Sequence, residues 1–401
     1  DRGVLMCFNE KDGRLLWQLV VPKRSEDPFF DWPNSGISSP ATVEGDRVYV
    51  VSNRGEVLCL DVHGMANGND GPFKEEATHQ SVAGQPAVDV GPLDADVIWA
   101  CDLTTGAGIW SHDAAHSSIL IRGDHLYLNT GNGVDNSHIK IRRPEAPSLV
   151  VIDKKSGRLL ARDDERMSPR TFHCTWSAPS MAKVGERDLI FFAGGDGILY
   201  AFEALNEDTA TSEVCKLKVA WKHDLDPTAP KEDVHRFNKN KAIGPSNVFG
   251  MPVVVGGSVY VAGGGDLWWG KNEAWLKRID AESGKLQWTY PLGKHVMSTP
   301  AVRDGLVFIA DIARTIHCVD AESGKACWTH EAKGDFWAST MVADGKVYIG
   351  TRRGDFMVLA ASREKQVIST IELGVPISAT PMAANGTLYV ATMRELFAIS
   401  K

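Results

Sequence analysis

Five arginines, Arg54, Arg314, Arg352, Arg353 and Arg394, each stand just after a short apolar run. Arginine presents a rigid fork of donors suited to a carboxylate, sulfate or phosphate group. Acidic neighbours Glu56, Asp311, Asp355 and Glu395 offer a simpler use, local ion pairing. Phe30, Trp32, Trp268 and Trp269 lie in irregular, Gly- and Pro-containing segments. Tryptophan and arginine together are common hot-spot types, so Arg314, Arg352, Arg353, Arg394, Trp268, Trp269 and Trp32 form the expected ligand-binding set, for a protein or sugar rings. Packing of the loops would use the same aromatics. His112 and His116 are spaced to share a helical face, but no helical pattern surrounds them. His173 beside Cys174 has the types of a metal or nucleophile pair. Neither comes with the further ligands or orienting acid such chemistry needs, so no catalytic residue and no metal site is assigned. Asn67-Gly-Asn-Asp-Gly71 lacks the acidic spacing of a calcium loop and reads as a turn. Zinc spacings, a phosphate-binding Gly-Lys-Ser/Thr and a Gly-x-Ser-x-Gly elbow are all missing from the sequence.

The elements that must position these residues are repeats. Asp280-Ala-Glu-Ser-Gly-Lys-Leu-Gln-Trp288 returns about 40 residues on as Asp320-Ala-Glu-Ser-Gly-Lys-Ala-Cys-Trp328, a propeller-like period. Gly284 and Gly324 mark tight turns between an apolar strand and a strand ending in Trp. Upstream lies a second hairpin, turning at Asp304-Gly305. One unit is therefore strand A, turn, strand B, loop, strand C, Ser-Gly turn, strand D: a four-stranded antiparallel blade. The A–B hairpin occurs seven times, turning near Gly45, Gly123, Gly185, Gly256, Gly305, Gly345 and Gly386. Its B strands are continuous apolar runs, as expected of strands covered on both faces. Trp17, Trp99, Trp221, Trp288 and Trp328 recur in strand D. Their spacing makes them wedges between layers, each with an indole N–H for a carbonyl.

Residues 4–17 read as strands C and D alone, and Leu388 to Ile399 as strands B and C without a D strand. If the missing strands lie upstream of Asp1, the count is eight blades, the first incomplete in this chain. If nothing lies upstream, the ring closes with a defective blade or with seven. The expectation is an all-β, eight-bladed β-propeller occupying residues 1–401 as a single domain. Its chain length suits one closed propeller.

The net charge of −8 and the absence of a basic run argue against nucleic acid as a partner. No apolar run approaches 18 residues, so no membrane span is expected. Seven cysteines cannot all pair. Cys7, Cys59 and Cys318 occupy equivalent strand-C slots and read as inert core thiols. Cysteine therefore does not reveal the compartment.

Most insertions fall in the D–A or B–C connections: 22–36, 129–148, 163–175, 226–247 and 263–275. Only 62–94 and 203–215 are C–D. The two classes of loop leave a blade at opposite ends, and elaborated loops on a rigid scaffold are where binding usually resides. The D–A/B–C end is the expected functional face.

The repeated Asp-x-x-Ser/Thr-Gly-x-x-x-Trp signature resembles the tryptophan-docking repeat of pyrroloquinoline quinone (PQQ)-type propellers. That superfamily includes quinoprotein alcohol dehydrogenases and the propeller lipoprotein of outer-membrane β-barrel assembly. The resemblance covers essentially the whole chain. It implies a bacterial protein, periplasmic or extracellular. It also implies that Thr130-Gly131-Asn132 matches a segment whose Asn binds the cofactor's calcium, making Asn132 the candidate cofactor-binding residue. Where the dehydrogenases place a catalytic Asp, this chain reads Phe172-His173-Cys174-Thr175-Trp176, and their vicinal cysteine pair is missing. Without that acid no base takes the alcohol proton. The expected function is a non-catalytic binding scaffold with no cofactor, engaging a protein or an anionic glycan through the D–A/B–C face. The alternative is a PQQ- and calcium-dependent quinoprotein dehydrogenase.

Overall fold

The computed structural model describes residues 2–24, 36–112, 116–206 and 213–400. It is an all-β propeller of antiparallel blades. The chain divides into two compact units, Asp1–Pro179 with Glu203–Lys218, and Ser180–Phe202 with Val219–Lys401.

The first unit opens with a two-stranded hairpin, Arg2–Phe8 paired with Leu15–Pro22. A four-stranded blade follows, Thr42–Glu44, Arg47–Val51, Glu56–Asp61 and Val97–Asp102 in sequential order. The next blade comprises Leu120–Arg122, His125–Asn129, Leu149–Asp153 and Leu159–Arg162. Cys215–Lys216 joins its outer edge in parallel, so this sheet is not a pure meander. The apolar B and C strands are buried on both sides, as their sequence required. Val48, Val50, Leu58 and Leu60 pack with Trp17, Leu19 and Val21 of the hairpin. Their strand neighbours Tyr49, Val51, Val57 and Cys59 face the other way, onto Leu126, Leu128, Val150 and Ile152.

The second unit holds four four-stranded meanders, spanning 180–224, 253–292, 301–331 and 341–372, and a three-stranded sheet over 382–399. Ser246–Asn247 adds a short strand beside Ser258–Gly265. Alternation recurs: Val259 and Val261 pack with Phe191 and Leu199, whereas Tyr260 and Ala262 pack with Val307 and Ile309.

The blade count corrects the expectation of eight. Among the described residues seven sheets have three or more strands, and the eighth is the hairpin at 2–22. Each of the seven A–B hairpins read from sequence builds one blade, and a C–D pair without an A–B pair does not make another.

The nonapeptide turns are set locally. Asp280 Oδ1 accepts from the Ser283 amide at 2.8 Å and hydroxyl at 2.6 Å, and Asp320 does the same for Ser323. Among the described residues no disulfide joins the cysteines. Cys59 and Cys318 are buried, and burial pushes the Cys59 thiol up to about 11, consistent with core packing.

Candidate functional site

In the second unit, Gly263-Gly-Gly-Asp-Leu-Trp-Trp269 leaves strand Ser258–Gly265 as a B–C loop. A Cβ on Gly265 would lie within 2.7 Å of the Lys271 amide nitrogen, so only glycine lets the loop double back so closely. Asp266 then fixes the tip, its Oδ1 accepting from the Trp268 amide at 3.0 Å and the Trp269 amide at 2.9 Å. Trp268 is left 42% exposed, and Lys239 Nζ stands 5.0 Å from the Trp269 ring centre.

The Trp268 ring meets Trp337 edge to face at 6.1 Å. Arg352 lies over the other indole, its guanidinium carbon 4.5 Å from the Trp337 ring centre. Two bonds hold Arg352: its amide donates to the Asp335 carbonyl at 2.9 Å, and Nη1 donates to Ser378 Oγ at 2.5 Å. The D–A and B–C loops of successive blades thus assemble one aromatic and cationic patch. Trp268, Trp269 and Arg352 were expected from sequence; Trp337, which joins them, was not. Its signal was its place in the D–A loop after Ala326–Glu331.

The remaining expected residues make other contacts or stand exposed. Arg314 forms an ion pair with Glu331 at 3.1 Å rather than with Asp311, which accepts instead from the Gly293 and Thr315 amides. Arg353 and Arg394 are exposed. Trp32 and Phe30 lie outside the described residues. Arg54 donates to the carbonyls of Pro22 at 2.8 Å and His79 at 3.1 Å, stapling loops of the first unit, while Glu56 accepts from His79.

A second cluster forms in the first unit. His112 lies in a D–A loop, His138 in the B–C insertion after Asn129, and His173 in the next D–A loop. All three are at least 95% buried. One ring nitrogen from each lies within 4.8 Å of the others. Their rings pack edge to face, with centres 5.2 Å apart for His112–His138, 5.0 Å for His112–His173 and 4.2 Å for His138–His173. The insertion is knotted by Asp135, whose Oδ1 accepts from the Ile139 and Lys140 amides and whose Oδ2 accepts from Ser137 Oγ. The segment runs back beside itself, with the Arg142 amide on the Gly133 carbonyl and the Arg143 amide on the Asn132 carbonyl. Phe172 stacks on His138 at 5.8 Å, and Trp176 lies 5.4 Å from His173.

Burial first, then His173 and His138, drive the His112 pKa down to about 3, so its imidazole is neutral near pH 7. Desolvation would raise Asp135, but hydrogen bonds from Ser137, Lys140 and Ile139 outweigh it and hold its carboxyl below the usual range. His116 does not join the cluster; its Nε2 is 2.8 Å from Ser111 Oγ. The i, i+4 spacing of His112 and His116 does not bring the two into one cluster. Cys174, next to His173 in sequence, is buried.

A third group, Asp61, Asp70 and Asp96, brings carboxylate oxygens within 4.8 Å of one another. Asp61 already holds Arg47 at 2.7 Å and the His63 amide at 2.8 Å.

The residues do not fit a quinone cofactor with its calcium. Asn132 is 4% exposed, and its amide donates to the Ser168 carbonyl at 2.8 Å. Thr130 is fully buried and its hydroxyl bonds to the Pro147 carbonyl. The segment matched to the one that carries the dehydrogenases' acid, Phe172 to Trp176, contains no acid, and its His173 belongs to the imidazole cluster.

A family model described as outer membrane protein assembly factor BamB matches residues 1–214, 218–335, 272–369 and 313–400. No curated protein matches the sequence. Among solved structures, BamB from Moraxella catarrhalis is similar at 13% identity and a TM-score of 0.60, over 99% of this chain and 88% of that one. A europium-containing methanol dehydrogenase is similar at 12% identity and 0.58, over 97% and 78%. The computationally designed Ika8 protein is similar at 11% identity and 0.53, over 99% and 91%. At these identities the structural likenesses show the fold alone.

Proposed function

We propose that this chain, which belongs to the family of outer membrane protein assembly factor BamB, is a non-catalytic scaffold that docks a protein partner on the Trp268–Trp337–Arg352 patch. The observation that carries this reading is the patch itself: an exposed indole, a second indole at 6.1 Å and a guanidinium fixed over it, all on D–A and B–C loops. Two aromatic anchors with an arginine supply apolar area, a cation for a carboxylate, and little conformational entropy to lose. The partner chemistry that fits is a segment carrying an apolar or aromatic side chain beside an acidic one. Arg353 and Arg394 extend the same positive loop chemistry. The family description, an assembly factor, accords with a scaffold. An anionic glycan is the competing ligand, and the test separates them.

A photo-crosslinking amino acid at position 268 should capture a discrete protein in cells, with Glu186, exposed in an A–B turn, as the control position. Trp337→Ala combined with Arg352→Ala should abolish that capture. Equal capture from both positions, survival of the adduct in the double variant, or an adduct that disappears on glycan digestion but not proteolysis would remove the reading. The periplasmic or extracellular placement belongs to the same proposal, and cell fractionation tests it. Among the described residues no helix is long and apolar enough to cross a membrane. The quinoprotein alternative predicts a bound-quinone absorption spectrum on adding PQQ and calcium; the placement of Asn132 and Thr130 argues against it.

A further inference from the structure

We propose that His112, His138 and His173 form a binding site for a zinc-type divalent transition-metal ion within the first unit. Three loops with no sequence relation bring one nitrogen each to a common point, all within 4.8 Å. The tautomers suit ligation. His112 Nδ1 is 2.6 Å from the Val134 carbonyl, and His138 Nδ1 is 3.2 Å from the Asn136 carbonyl. A carbonyl only accepts, so each Nδ1 carries the proton and each Nε2 presents a lone pair. Backbone carbonyls commonly fix metal-binding imidazoles in this way, orienting the ring and raising its basicity.

The surroundings suit a cation as well. Asp135 acts electrostatically on both His112 and His138, placing an anion beside the imidazole cluster. His138 is held at φ 55°, a left-handed conformation that the Asp135 turn stabilises. Apolar rings would fill the same space without ring nitrogens to desolvate, so packing alone gives no reason for three histidines. Three imidazoles without a thiolate or carboxylate in the ligand set suit zinc, copper or nickel rather than calcium or magnesium. Three protein ligands also leave a fourth position for water or an exogenous ligand. This site lies in the first unit and the docking patch in the second, so either can fail without the other.

The experiment is titration of the full chain with zinc chloride alone, followed by calorimetry and thermal melting. One equivalent should bind, and the melting temperature should rise. His112→Ala, His138→Ala and His173→Ala should each weaken binding by about 100-fold or more, taking the loss from a disturbed outer shell as the lower bound. His223→Ala, outside the cluster, should bind as the parent does. Should an alanine variant misfold, X-ray absorption of the zinc-loaded parent decides: a shell with three imidazoles supports the site. No stoichiometric uptake, parent-like affinity in the folded histidine variants, or an oxygen-only shell overturns it.

Discussion

Gly324 lies against the indole of Trp288: a Cβ on Gly324 would stand 2.7 Å from the ring, whose N–H donates to the Ala321 carbonyl of the same turn at 3.0 Å. The signature Trp of one blade is therefore docked in the signature turn of the next. Trp221 with Gly284 and the Ala281 carbonyl, and Trp99 with Gly157 and the Lys154 carbonyl, repeat the arrangement. Trp328 donates to the Ser362 carbonyl in a turn that carries no glycine.

Trp288→Ala should destabilise the protein by about 3 kcal/mol, at the low end for an aromatic truncation because the ring is only partly buried. Gly324→Ala should also destabilise, since φ is 67° and the added methyl strikes the ring. In urea unfolding the double variant should lose less than the sum, because both changes act on one contact. An unchanged melting curve for Trp288→Ala would reject the wedge role.

Asp226 and Lys271 form a buried ion pair, and Asp226 also accepts from Ser246 Oγ at 2.6 Å and Thr228 Oγ1 at 2.7 Å. Burial would raise the Asp226 pKa, but the bonds from Lys271, Ser246 and Thr228 overcome it and hold the carboxyl well below its ordinary value. The sign follows: this stability is present above the unfolded carboxyl pKa and is lost as pH falls below it. Asp226→Asn should cost about 3 kcal/mol, the low end for a broken buried pair, because Glu273 still faces the Lys271 ammonium at 3.0 Å. Asp226→Asn with Lys271→Met should recover part of that, measured by chemical denaturation. A single variant as stable as the parent would contradict the pairing.

His116 is buried against Ser111, and burial lowers its pKa from 6.5 to about 4. The folded protein therefore keeps it neutral while the unfolded chain protonates it. Stability from this group is complete above pH 6.5 and falls away between pH 6.5 and 4, by about 3 kcal/mol if the full shift is expressed. His116→Gln should flatten the stability profile across that window. A profile parallel to the parent's would assign the acid sensitivity elsewhere.

At the docking patch, Arg352→Lys tests geometry rather than charge. Lysine cannot reproduce a planar guanidinium over Trp337 with a bond to Ser378, so partner affinity should fall roughly 10-fold, as for a stacked arginine. Arg394→Ala, which removes an exposed charge and no stacked ring contact, should have a smaller effect in the same binding assay. Full affinity in Arg352→Lys would mean that charge alone is recognised.

The sequence by itself determined the blades. Apolar B strands, turns at Gly305 or Gly345, and the Asp-x-x-Ser-Gly caps are local signals: Gly305 and Gly345 take positive φ, and Asp280 and Asp320 close their turns on serines three residues away. It also marked the loops that carry both clusters, because insertions interrupt a regular period. The number of blades was present in the seven A–B hairpins, and reading the lone hairpin at 2–22 as another blade overcounted it. Only the tertiary structure decided which loop residues meet. His138 carries no periodic relation to His112 or His173, and Trp337 none to Trp268 or Arg352, because irregular loops have no repeat from which a side chain's direction can be read. Their encounters are set by how neighbouring blades stack, a property of the packed sheets.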